Sequence, residues 1–148
     1  MPTNTLRLHR VLAAKPDKVF RAFIDPDAIA RWYPPDGYTC HVDHFEAYAG
    51  GSYHMSFTNF HTGKTMGFGG VLRELIPTEK ISYTDVFDDP DMPGEMLTTI
   101  TFREVSCGTG IHIVQEGLPD ALPIDGCYIG WQQSLMHLTK LVEPEIFD

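Results

Sequence analysis

Seven histidines, three cysteines and twenty carboxylates are the side chains of this sequence able to ligate a metal, move a proton or act on a carbonyl. Cys40, His44 and Glu46 alternate along one stretch, so a strand would carry all three on a single face. Protein zinc sites usually close through paired short spacings, which this chain lacks, and the three are read as strand-face residues. No metal and no cofactor is expected. His112 and His137 have no carboxylate at a telling sequence distance, and no Ser or Thr has a His–Asp pattern beside it to make it a nucleophile. Gly67-Phe68-Gly69-Gly70 is glycine-rich, yet it lies within a strand pattern instead of opening a helix as a phosphate loop does. Glu74 is the candidate catalytic residue. Simple alternation groups it with Phe68, Gly70 and Leu72, and a carboxylate held among aromatics on a concave face titrates high enough to serve as general acid or base. A rim position, paired with a base, is the competing reading of Glu74.

Aromatic side chains form the second set. Trp32, Tyr53, Phe57, Phe68, Tyr83 and Trp131 come from separate parts of the chain, with Met55 and Leu135 beside them in pattern. Together they are the candidate ligand-binding residues, because Tyr and Trp combine apolar area with one polar handle. The alternative is that they fill the core.

Bringing these residues together requires particular elements. Leu6 to Leu12 alternates apolar and polar, the period of a half-buried strand. Pro16 opens a helix with Val19, Phe20 and Phe23 on one face; Asp25-Pro26 ends it, and Asp25 caps a second short helix running to Trp32. From Cys40 the period is two. Strands are predicted over Cys40–Ala47, Ser52–Phe60, Met66–Ile76, Lys80–Phe87, Met96–Val105 and Gly110–Glu116, with Gly50-Gly51 as a hairpin turn. Ile81, Tyr83 and Asp85 share a face of their strand. Ile124, Tyr128, Trp131, Leu135, Leu138 and Val142 then form an apolar helical stripe. The glycines of the Met66–Ile76 strand suit a bend. The predicted architecture is α+β: about seven antiparallel strands curved around one long C-terminal helix, with two short helices after the first strand and a residual apolar pocket inside.

Composition limits the partners. A chain of 148 residues with 43% hydrophobic and 21% charged residues fits a single domain over 1–148. A net charge of −9, with no basic cluster, disfavours nucleic acid and anionic membranes. No apolar run approaches the ~20 residues that span a bilayer. The first residues lack the apolar region of a signal peptide, so a cytoplasmic location with reduced cysteines is expected. Met92, Met96 and Phe147 leave a homodimer open.

Four segments carry a family resemblance. They are Val19 to Phe23 followed by Asp25-Pro26 and Arg31-Trp32-Tyr33-Pro34-Pro35; Gly50-Gly51-Ser52-Tyr53; Gly70 to Pro77 with Lys80 to Thr84; and Gly130-Trp131-Gln132-Gln133-Ser134-Leu135. In this order they resemble the START-like, or helix-grip, superfamily, and more narrowly its branch of activator of heat shock protein 90 ATPase homologues. The resemblance covers about residues 6–142. It implies a helix-grip fold and a pocket that takes a small apolar or aromatic ligand. It equally implies two other roles known among its members: a pocket enzyme such as a cyclase, dehydratase or hydrolase, or a co-chaperone-like module that binds a protein.

Overall fold

The computed structural model describes residues 4–147. The chain runs β1 (Thr5–Leu12), α1 (Pro16–Ile24), α2 (Pro26–Trp32), β2 (Tyr38–Phe45), β3 (Ser52–Asn59), β4 (Thr65–Ile76), β5 (Lys80–Phe87), β6 (Met96–Val105), β7 (Gly108–Glu116) and α3 (Ile124–Val142). The strands form one curved antiparallel sheet in the order β1-β7-β6-β5-β4-β3-β2. From β2 to β7 each strand pairs with the next, while β1 pairs with β7. The second strand begins at Tyr38 and ends at Phe45, earlier than the alternation suggested.

Local chemistry accounts for the helices. Asp25 has extended backbone and its side chain accepts from the N–H groups of Asp27 and Ala28, so one residue ends α1 and caps α2. Trp32 lies wholly inside, its indole N–H donating to Ala22 O at 2.8 Å, and its ring meets Phe23 edge-on at 4.7 Å. That bond fixes α2 against α1.

The concave face of the sheet holds the core. β3 turns Tyr53 and Met55 inward, β6 turns Met96, Thr98, Ile100 and Phe102, and β7 turns Ile111, Ile113 and Gln115. α3 packs its C-terminal half, Leu135, Leu138 and Val142, into this core. Its N-terminal turns are less buried, with Ile124, Cys127 and Tyr128 only half-buried and Gly126 exposed. The helix therefore grips the sheet at one end and stands away from it at the other. Met96 belongs to the buried interior, so it is not a surface residue for a dimer, whereas Phe147 is exposed.

Two register shifts decide which side chains face the core. One in β2 between Val42 and His44 turns Cys40 and Val42 inward but His44 outward, which separates Cys40 from His44. The other lies in β4 between Leu72 and Glu74, so Leu72 and Leu75 face in and Glu74 pairs across the outer face with Ser82. Upstream of that shift Gly70 lies so close to β5 that an added Cβ would sit 2.1 Å from Thr84 O. There the Thr84 hydroxyl takes up the Val71 N–H at 2.9 Å, and Tyr53 donates its hydroxyl to Thr84 O at 2.8 Å.

Candidate functional site

Where α3 stands away from the sheet, a cavity of about 460 Å³ opens between its first turns, the segment after α2, and strands β3 to β7. Its volume falls within the range of small-molecule sites. Phe57, Phe68, Phe87, Met96 and Trp131 supply apolar wall, and the exposed Tyr38, Met66 and Ile129 frame the mouth. Gly126 and Gly130 keep the helix side open, since a methyl group at Gly130 would meet no atom within 4 Å.

Tyr33 divides this cavity from a void of about 30 Å³ deeper in the fold. Its ring stands edge-on to Trp131 at 5.7 Å and to Phe57 at 5.8 Å, and its hydroxyl bonds that of Tyr83 at 2.9 Å. The segment carrying Tyr33 is fastened to α3 by four contacts, one of them between His137 Nδ1 and Pro34 O at 3.1 Å. Ser134 Oγ donates to Tyr33 O at 2.7 Å, Asp36 N–H donates to Gln133 Oε1 at 3.1 Å, and His137 Nε2 lies 2.6 Å from Asp36 Oδ1.

Asp85 is the buried carboxyl of the cavity wall. It is 5% exposed, lines the cavity from mid-β5, and its Oδ1 is a buried oxygen without a hydrogen-bond partner. Burial pushes its carboxyl up to about 7 from an ordinary 3.8, although the Tyr53 hydroxyl alongside draws it down. Burial also pushes the phenols of Tyr33, Tyr53 and Tyr83 well above their ordinary value, so they remain neutral. Gln115 completes the polar set: its Nε2 donates to Thr98 Oγ1 at 3.2 Å and its Oε1 accepts from the Trp131 indole N–H at 3.1 Å.

The residues singled out from sequence separate into three groups. Phe57, Phe68 and Trp131 lie on the cavity wall. Trp32, Tyr53, Met55 and Tyr83 surround the small void. Leu135, fully buried, is core and lines neither space. Glu74 does not sit on the concave face: its side chain is 46% exposed and pairs with Lys80 at 3.1 Å, because the shift beside Arg73 reverses the alternation. The Cys40, His44 and Glu46 face is likewise broken. His44 contacts Ser52 Oγ, and Glu46 accepts from Ser52 and Tyr48, which lowers its carboxyl to about 2. Among the described residues no group of three or more His, Cys, Asp or Glu is placed to hold a metal ion. Asp85, Tyr33 and Gln115 escaped the sequence reading. Asp85 shares an alternating face with Ile81 and Tyr83, and Gln115 one with Ile111 and Ile113, so a polar residue in an apolar row was the available signal.

Residues 13–143 match the family described as activator of Hsp90 ATPase homolog 1-like protein. The chain belongs to this family. A family member's fold is also what the solved structures show. The crystal structure of a Chromobacterium violaceum protein is 55% identical, with a TM-score of 0.95 over 96% of this chain and 99% of that one. A Rhodobacter sphaeroides protein at 20% identity superposes with a TM-score of 0.81 over 95% of each chain. A Silicibacter pomeroyi protein of the same family name, 21% identical, gives 0.81 over 93% of this chain and 96% of that one. These last two share the helix-grip fold. A search of curated proteins found no match. No helix among the described residues is long and apolar enough to cross a membrane.

Proposed function

We propose that this protein binds an apolar or aromatic small molecule in the cavity between α3 and the sheet. The observation that carries the reading is the cavity itself: about 460 Å³, walled by Phe57, Phe68, Phe87, Met96 and Trp131. Covering ~200 Å² of ligand surface at ~25 cal/mol per Å² contributes about 5 kcal/mol before the entropic cost of association. The family description names an ATPase activator, which makes a protein partner the competing reading.

A thermal-stability screen with aromatic, polyketide-like, sterol and acyl compounds tests the proposal. A ligand at ~100 times its dissociation constant stabilises by about 2.7 kcal/mol. The expected result is a reproducible rise in Tm that disappears in Trp131→Ala, with the fold of that variant checked by circular dichroism. Absence of any rise across these classes would sink the small-molecule reading and favour the protein partner.

A further inference from the structure

The polar groups around the cavity are one-sided. The Gln115 amide is occupied by Thr98 and Trp131, the Tyr33 and Tyr83 hydroxyls bond each other, and the Tyr53 hydroxyl donates to Thr84 O. Asp36, at the mouth, is paired with His137. This leaves Asp85 Oδ1 as a buried acceptor with nothing to accept, in a wall that includes no Lys and no Arg. The same wall carries aromatic rings: Phe57 and Phe68 with ring centroids 4.8 Å apart, Phe68 and Phe87 at 6.4 Å, and Tyr33 and Trp131 at 5.7 Å.

A lone acceptor calls for a donor, and aromatic faces attract cations through their quadrupole. The net charge of −9 draws cations toward the protein and repels anions. Resting on the small-molecule reading above, we propose that the occupant is a cationic amphiphile, whose protonated amine bonds Asp85 and whose apolar body lies against Phe57, Phe68 and Trp131. At pH 8, where Asp85 is ionised, a carboxylate or phosphate ligand of the same skeleton is disfavoured, because its charge would face Asp85 with no basic side chain to compensate. A neutral alcohol satisfies the acceptor but forgoes the charge, so it binds less tightly.

The pairing is linked to protons. The titratable groups facing Asp85 are Tyr53 from β3, Tyr83 from β5 and Tyr33 from the segment after α2, all held neutral by burial. β4, β6 and β7 present Phe68, Met96 and Gln115, which do not titrate. From α3 comes Cys127, its thiol raised by burial, and Asp36 lies at the mouth. Asp85 is thus the group that changes charge near neutrality, and a bound ammonium favours its ionised form.

Matched probes separate this inference from the broader reading: naphthylethylamine, naphthylethanol and naphthylacetic acid, with the dodecyl amine, alcohol and acid as a longer series. Each is titrated calorimetrically into wild type and Asp85→Asn at pH 6 and pH 8. Amines should bind wild type about tenfold or more tighter than the alcohols, and tighter at pH 8 than at pH 6. Asp85→Asn should lose that preference while its affinity for the alcohols stays within about threefold. Asp85→Ser, of smaller volume, guards against an effect peculiar to the amide. Alcohols or acids binding wild type as well as the amines, or both variants retaining the amine preference, would overturn the inference and leave the cavity reading standing. Failure of every probe to bind would overturn both.

Discussion

Replacing Asp85 with Asn should stabilise the empty protein, increasingly so as the pH rises. In the fold the carboxyl titrates near 7, and in the unfolded chain near its ordinary 3.8. Within that window the folded state holds a proton that the unfolded state has released, so stability falls as pH increases. Below about pH 4 both states are protonated and the group costs nothing. Above about pH 7 both are ionised, and the full difference applies, about 4 kcal/mol at 1.36 kcal/mol per pH unit. Asn keeps the shape and removes the charge. Other titrating groups are common to both proteins and cancel in the difference, while the burial of the amide adds a constant offset. Urea unfolding of wild type and Asp85→Asn between pH 4.5 and pH 8.5 reads this directly. The stability difference should grow by several kcal/mol across the range, most steeply between pH 5 and pH 7. A difference that stays constant within about 1 kcal/mol would refute the reasoning, because it would mean that Asp85 ionises at no greater cost in the fold than in water.

Further outcomes follow from packing and charge. Leu135→Ala, in the fully buried stretch of α3, should cost about 2–5 kcal/mol in chemical denaturation while leaving probe affinity nearly unchanged, since Leu135 lines no cavity. Gly130→Ala should raise stability by about 1 kcal/mol through helix propensity, its methyl group meeting open space; Gly130→Leu should narrow the cavity and reduce the ligand-induced rise in Tm. His54 lies between Asp43 and Asp88 on the outer face, and these hydrogen bonds raise its imidazole above the ordinary 6.5. Its contribution is fully present below pH 6.5 and is lost as pH rises through the folded value, so His54→Gln should destabilise at pH 6 and progressively less above it, as read from denaturation midpoints.

Much of the architecture could be read without coordinates because its signals are local. The 3.6-residue spacing of Trp131, Leu135, Leu138 and Val142 marks α3, and Asp25-Pro26 marks the junction of α1 and α2. The bounds of β5 and β6 coincide with those expected from alternation and flanking turns. The site was legible only in outline. Phe57, Phe68 and Trp131 do reach the cavity wall, but the facing of Glu74 and His44 depended on register shifts that one strand cannot reveal alone. A bulge is a relation between two strands, and sequence displays one at a time. Asp85 illustrates the opposite case. Its place in an apolar row was visible beside Ile81 and Tyr83, but its burial depends on the neighbours that β4, β6 and α3 supply. Which aromatics fill space and which leave it depended on Gly126 and Gly130, whose missing side chains hold the cavity open.

The pairing of β1 with β7 bears on how the protein is made. Thr5 lies opposite Glu116 and Leu12 opposite Thr109, so β1 leaves the ribosome long before the strand that completes it exists. Everything from α1 to β6 must be synthesised first, and closing so long a loop delays any native contact for β1. Until then β1 travels as an unpaired strand, and Leu6 and Leu12, which end fully buried, stay available to wrong partners. The nascent sheet from β2 to β6 can assemble in order of emergence, hairpin upon hairpin, with β1 docking late. The yield of folded protein should therefore respond to translation speed across β6 and β7.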